Sequence, residues 1–304
     1  MTHKNDFAFF KESINLGQYA AAQGYELDSR KSTRSSLVMR HNNGDKIIIS
    51  RKADTWIYFS VRDNQDNGTI VDFIQRRTGK TLPEIAEHLA GWESHGQTLS
   101  HYNVPDVKEQ VYDRQRILKA FQRMKPIITH PYLTDERKIP SQVLVNERFR
   151  GKIFQDYYGN VVFPHQDGQG ICGLELKNHD KGVFMRGSEK ALWLGAIEPS
   201  DTTLVLAESP IDALSHYTLF KPVNTAYAAV SGGMRDKQFE FLVSVIAKMP
   251  LLEQIVLAVD NDAGGNSIAE RIEEFIGNKF TKRVIRHVPQ EIGADWNQVL
   301  KMAL

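Results

Sequence analysis

Residues 203–220 read TLVLAESPIDALSHYTLF and residues 254–266 read QIVLAVDNDAGGN. Each opens with an unbroken apolar run, Leu204 to Ala207 and Ile255 to Val259, and each run ends on acid: Glu208 after the first, Asp260 and Asp262 after the second. A short apolar run bounded by turn residues suits a strand buried on both faces, as in a parallel sheet. Ser209 and Pro210 form an N-cap and first-turn pair for a helix over 211–220, which Lys221-Pro222 stops. Ala263-Gly264-Gly265 reads as a tight turn, with Asn266 capping a helix over 267–276 that Gly277 ends. The acids therefore fall where a buried strand hands over to a helix. Open α/β folds bind ligands at that carboxyl edge.

Three carboxylates at one edge repel one another and cost desolvation unless a cation sits among them. Oxygen-only ligands, without Cys or His, favour Mg²⁺ or Mn²⁺ over zinc. Such an ion, held with open positions, suits phosphate-ester chemistry. Each acid also has a plainer reading. Glu208 can cap a helix or pair with a base, and Asp260 and Asp262 can build an Asx-rich turn. Asp212, in the helix's first turn, is also what the helix dipole favours.

Glu208 with Asp212 (E-x-x-x-D), and Asp260-x-Asp262-x-x-Gly265, resemble the two signatures of the toprim domain. That domain is shared by bacterial replicative primases, type IA and type II topoisomerases and some nucleases. The fuller wording ESPIDALS, VSGGM, VDNDAGG and ADWNQVL is similar to primase-like toprim proteins of plasmids and other mobile elements. The resemblance implies a metal-binding, catalytic set of Glu208, Asp260 and Asp262, with Asp212 as a further ligand. In the family an Asp near the position of Asp295 commonly joins the acidic edge, although Asp295 can equally cap the last helix.

At 304 residues the chain has room for two or three domains. Its 41% hydrophobic and 25% charged residues are ordinary for a globular protein. A formal net charge of +1 exerts no overall pull on nucleic acid, so any such surface is a local patch. The single cysteine, Cys172, excludes an internal disulfide and any multi-cysteine zinc site. No apolar run reaches transmembrane length and the opening residues are no signal peptide, so a cytoplasmic location without membrane contact is expected.

The expected divisions are an N-terminal domain over 1–92, a polar linker over 93–108, a basic α+β segment over 109–200 and the toprim-type parallel sheet over 201–304. Residues 7–23 read as one amphipathic helix, followed by strands at 36–40, 46–50 and 56–61 with a hairpin turn at Asn43-Gly44. Two helices follow, the second opened by a Thr81–Glu84 capping box. The meander followed by GTIVDFIQRRTGKTLPEIAEHLAGW resembles the zinc-ribbon domain of bacterial primases. That family holds zinc with three cysteines and a histidine. Here there is no cysteine and only His41 stands near a ligand position, which implies a degenerate ribbon without zinc. Arg40, Arg51, Lys52 and Trp56 suit single-stranded template, unless Trp56 is core and the bases are solvated surface.

Residues 109–125 read as a basic amphipathic helix, with Val111, Leu118 and Phe121 inward and Arg114, Arg116, Lys119 and Arg123 outward. Such a face is either solvated or a phosphate contact. GNVVFPHQDGQGICGLELKN and GVFMRGSEKALWLGA resemble the basic subdomain preceding toprim in primases. Phe163-Pro164, Asp167, Gly170 and the run from Lys190 to Gly195 carry the match. The sequence departs from the family at GLELK, where a lysine, Lys177, stands near a family arginine. Lys177, Arg186 and Lys190 are the candidates for triphosphate or template backbone. In the toprim segment, strands are expected at 203–207, 224–230, 254–259 and 282–288, with right-handed crossover helices between them. Ser231-Gly232-Gly233 makes a turn beside the acidic edge, open to a phosphate or merely tight.

Three readings of function follow. One is primase-like nucleotidyl transfer on single-stranded DNA from nucleoside triphosphates, with a replication helicase or mobilisation protein as partner. The others are a toprim nuclease and a non-catalytic single-stranded DNA-binding accessory. Strand passage is disfavoured, since it needs a nucleophilic tyrosine in a further large domain.

Overall fold

Asn15 splits the first amphipathic stretch. Its side-chain oxygen accepts from the amides of Gly17 and Gln18 at 2.9 and 3.2 Å, capping a second helix. Helices α1 (Phe7–Ser13) and α2 (Leu16–Ala22) thus replace the single helix expected over 7–23. A side chain that bonds nearby amides competes with the helical ladder. The computed structural model describes residues 6–33, 35–52, 54–63, 65–95, 104, 105, 107, 111–179 and 182–304. They divide into two units, Met1–Val111 and Tyr112–Leu304.

The first unit continues with β1 (Glu26–Leu27), β2 (Ser36–Arg40), β3 (Lys46–Lys52), β4 (Thr55–Ser60) and β5 (Asn67–Gly68), an antiparallel sheet in sequence order. Gly44 closes the β2–β3 turn at φ +87°, a left-handed angle that favours glycine. Helices α3 (Ile70–Thr78) and α4 (Leu82–His95) complete the unit. The Thr81 amide and hydroxyl both donate to Glu84 Oε2, at 2.8 and 2.7 Å, as the capping box requires. Trp56 is 4% exposed, with the Arg51 guanidinium 5.4 Å from its ring. The core reading of Trp56 therefore holds, because a ring so buried has no face to offer a base. Most of the linker expected over 93–108 lies outside the described residues. Val107, within it, is buried in the N-terminal core, and Val104 packs against that core.

The second unit opens with α5 (Arg114–Phe121). Residues 111–113 precede it without helix, and residues 109 and 110 lie outside the described set. Its phase differs from the expected one. Ile117 is the buried residue, Val111 and Leu118 are exposed, and Arg114 turns to pair with Asp167. Next come β6 (Lys125–Pro126), a π-helical turn (Tyr132–Glu136), α6 (Ser141–Leu144), β7 (Phe154–Gln155), β8 (Val161–Asp167), β9 (Gly170–Lys177), β10 (Gly182–Phe184) and β11 (Leu192–Leu194). The alternating remainder is β12 (Thr203–Ala207), α7 (Pro210–Phe220), β13 (Thr225–Ala229), α8 (Asp236–Ala247), β14 (Gln254–Ala258), α9 (Ala263–Lys279), β15 (Arg283–Arg286) and α10 (Trp296–Met302).

These strands form one sheet ordered β10-β9-β8-β11-β13-β12-β14-β15, with β7 added beside β8 and β6 beside β7. The last four run parallel, as expected. β11 lies antiparallel to both β8 and β13, so the middle segment continues the same sheet and makes it mixed. Leu204 and Leu206 face α8 and α9, while Val205 and Ala207 face α7 and α10, which accounts for the unbroken apolar run.

Candidate active site

Two of the four acids close their own helix starts. Ser209 Oγ accepts from the Asp212 amide at 3.2 Å and donates to Asp212 Oδ2 at 2.5 Å, so α7 begins directly after Glu208. Asp212 is buried, and its other oxygen accepts from the Asn297 amide at 3.3 Å. At the second edge the cap is Asp262, not Asn266. Asp262 Oδ1 accepts from the Gly265 amide at 2.8 Å, and α9 starts at Ala263, four residues earlier than expected. Gly265 permits this, because a Cβ there would collide with the Asp260 carbonyl. Gly277 does not stop α9, which runs on to Lys279.

Glu208 and Asp260 differ from those two. Glu208 Oε2 and Asp260 Oδ1 are buried and have no hydrogen-bond partner. Burial, then the charges of Asp212, Glu208, Asp295 and Asp262, push the Asp260 carboxyl up to about 9. Burial, then Asp262 and Asp212, push Glu208 up to about 7, against the Asp260 backbone and Lys190. Asp212 rises to about 6 through burial and Asp295, opposed by its Ser209 bond. The acids named from the sequence, together with Asp295, thus act on one another at one edge. Asp295 also caps α10 through the Gln298 amide at 2.6 Å. Among the described residues no three His, Cys, Asp or Glu side chains form a group that encloses a metal ion. The orphaned pair is an oxygen-only donor set, and Mg²⁺ is commonly bound by one or two carboxylates with waters and phosphates completing its shell. The residues fit a hard divalent ion on that ground.

Positive charge stands beside this edge. Lys190 Nζ donates to the Gly233 carbonyl at 2.7 Å, and burial with Arg235 lowers its pKa to about 8 against Glu175 and Glu208. Ser231, at φ +55°, is a non-glycine residue in the left-handed region. Its hydroxyl donates to Glu175 Oε2 at 2.7 Å, and Lys177 pairs with Glu175 Oε1 at 2.9 Å. Burial raises the Glu175 carboxyl, but His165 and Lys177 outweigh it and hold the group at about 2. The Ser231-Gly232-Gly233 turn is therefore held from beneath by Glu175 and Lys190. Arg186 is exposed in a turn.

A cavity of about 350 Å³ adjoins the edge, lined by Arg137, Lys177, His179, Ser209, Asp212 and Asp295 among others. Sequence reading found Lys177 but missed Arg137, whose Nε donates to the Tyr132 hydroxyl at 3.0 Å. In a run reading Asp135-Glu136-Arg137-Lys138, nothing local separates it from a solvated face. His165 and Glu175 were legible in principle, as polar residues inside apolar strands.

Residues 205–300, which carry the parallel strands and their acidic carboxyl edge, match the family described as Toprim-like. Residues 131–195 match a second family, a protein of unknown function designated DUF3991. The uncharacterized protein pXO2-78 of Bacillus anthracis is 26% identical over 291 residues, covering 88% of this chain and 82% of that one. Among solved structures, the primase fragment of the bacteriophage T7 primase-helicase protein is 15% identical over 68% of this chain and 81% of its own, with a TM-score of 0.44. A DNA primase domain from Pseudomonas aeruginosa is 16% identical with a TM-score of 0.35, over 53% of this chain and 55% of that one. No helix of the described residues is long and apolar enough to cross a membrane.

Proposed function

We propose that this chain is a primase-like enzyme of a mobile element, joining nucleotides on a single-stranded DNA template in a metal-dependent reaction. The observation that carries this reading is the pair of buried, unpartnered oxygens on Glu208 and Asp260 at the carboxyl edge of a Toprim-like sheet. Glu208 and Asp260 would hold Mg²⁺ or Mn²⁺, with Asp262 beside them and Asp212 committed to the start of α7. When bound, such an ion polarises a phosphate oxygen and lowers the pKa of an attacking hydroxyl.

The chain's own residues supply the rest. Arg137 offers a guanidinium fork and Lys177 a point charge to a triphosphate in the adjoining cavity. Lys190, fixed on the Gly233 carbonyl, sets positive charge beside Glu208. Arg186 and the exposed basic side chains of α5 suit the template backbone. The N-terminal unit serves as a degenerate ribbon without zinc, and a replication helicase or mobilisation protein is the partner class. The reaction takes place inside the cell.

Incubation with single-stranded template, nucleoside triphosphates and Mn²⁺ is expected to give short labelled products. Glu208→Gln and Asp260→Asn should each abolish them, and Arg137→Ala should raise the triphosphate concentration needed for half-maximal synthesis. Template degradation without nucleotide incorporation would refute transfer and establish hydrolysis instead.

A further inference from the structure

Two tyrosines stand fully in solvent at a turn that is otherwise tightly bonded. Tyr157 is 95% and Tyr158 85% exposed, at the tip of the β7–β8 hairpin. Their ring centroids are 5.5 Å apart with planes at 84°, an edge-to-face contact that leaves the rings' other faces open to a stacked base. The turn that carries them is braced by its own hydrogen bonds. Asp156 Oδ1 accepts from the amides of Tyr158 and Asn160, each at 2.9 Å, and Oδ2 accepts from Asn160 Nδ2 at 2.7 Å. The one carboxylate in the turn is thereby turned onto the turn's own amides, bracing the tip while keeping its charge.

The turn is also tied to the wall of the cavity described above. His130 Nδ1 accepts from the Tyr132 amide at 3.2 Å, so the ring's proton lies on Nε2, which donates to the Gly159 carbonyl at 3.0 Å. Asn178 Nδ2 donates to Asn160 Oδ1. Tyr132 and Asn178 both line the cavity. Two independent tethers therefore hold the tyrosine pair at the rim of the pocket that contains Arg137 and Lys177. On the other side, Lys125 lies opposite Gln155 across the β6–β7 ladder. The immediate surroundings are polar: Gln155, Asp156, Asn160 and Lys125.

We propose that Tyr157 and Tyr158 are a base-stacking platform for single-stranded DNA at the entrance to the candidate active site. This rests on the nucleic-acid reading above and adds a contact to bases, where that reading supplies contacts to phosphate. Stacking on an aromatic face is tolerant of sequence, because every base has such a face.

The test compares labelled oligo-dT with an abasic oligonucleotide of the same length, by fluorescence anisotropy on the full chain. Wild type is expected to prefer the base-bearing strand by about 5- to 100-fold. The Tyr157→Ala/Tyr158→Ala variant should bind both at the abasic affinity, and Tyr157→Trp/Tyr158→Trp should restore the preference. If the alanine variant keeps the wild-type preference, the platform is wrong while the nucleic-acid reading stands. A change in oligomeric state with unaltered DNA binding would equally overturn it, assigning the tip to a protein contact. Failure of wild type to bind either strand would sink both.

Discussion

Asp260 is the residue under greatest electrostatic stress in the edge, and its ionisation predicts how stability responds to pH. Its folded pKa of about 9 stands above the ordinary 3.8, and that of Glu208, about 7, above 4.5. Without metal, the folded protein keeps these protons over a range where the unfolded chain has released them. Stability contributed by the neutral carboxyls is therefore complete at about pH 4 and declines as pH rises toward 7 and then 9. Asp260→Asn, neutral throughout, should flatten much of that decline. Urea unfolding in chelator at pH 5 and pH 8 reads it directly, and parallel slopes for variant and wild type would show that the carboxyl is not strained. If the edge holds Mn²⁺ as proposed, saturating ion should reverse the sign at pH 8, because a carboxylate must be ionised to bind it. It should stabilise wild type there and leave Asp260→Asn unchanged. Glu208 and Asp260 were legible as acids at the carboxyl edge because each directly follows an apolar run that marks a buried strand. Arg137 was not, since its place depends on a helix 160 residues away in sequence, where Asn297 receives its bond.

At the level of elements, strands were easier to read than helix starts. The run from Leu204 to Ala207 is apolar on both faces because helices cover both, and that pattern survives any choice of neighbours. The start of α9 depends instead on which of two caps, Asp262 or Asn266, finds the free amide. The choice was made by Gly265 approaching the Asp260 backbone, a contact between strand and helix that local propensity does not contain. Likewise α5 takes its phase from the two strands beneath it, burying Ile117 with Val162 of β8 and Leu174 of β9. The first unit offers a sharper case. Arg77, at the end of α3, reaches Asp45 and Asp66 at 2.8 Å each and the Tyr25 hydroxyl at 2.8 Å, while its guanidinium lies 4.1 Å from the Phe73 ring. The Tyr25 and Tyr58 hydroxyls donate to the same two carboxylates. One cation thus joins the β2–β3 turn, the loop before β5 and a helix. Removing it strands two largely buried acids, a loss on the order of 3 kcal/mol. Arg77→Ala should therefore speed amide exchange in β3 and α3 by roughly 100-fold. Arg77→Lys should recover only part, since an ammonium lacks the planar fork. Unchanged exchange in both variants would mean that the cluster is ornamental.

Across the second unit, the middle segment and the Toprim-like segment share a sheet, and the consequence is a single cooperative block. β11 is the seam. Trp193 on it is fully buried with Phe149 and Phe163 from one side and Val205, Ala207 and Tyr227 from the other, and its indole donates to the Lys152 carbonyl at 2.9 Å. A second seam is ionic. Arg148 grips the buried Asp201 through both terminal nitrogens at 2.8 Å, and the Glu198 amide donates to the same carboxylate at 2.8 Å. A fragment of residues 201–304 would lose both seams, baring the edge of β13 and the apolar face that Trp193 covers. Residues 112–304 should therefore unfold in one sharp transition in urea, with circular dichroism and tryptophan fluorescence coincident. Residues 201–304 alone should give a broad, weakly cooperative curve and bind a hydrophobic dye such as ANS. Trp193→Ala in the longer fragment should lower its single midpoint by about 3–5 kcal/mol of stability without splitting it in two. A sharp transition for 201–304 at the midpoint of the longer fragment would show that the Toprim-like part folds unaided. In that event the acidic edge would need nothing from the middle segment to hold its shape.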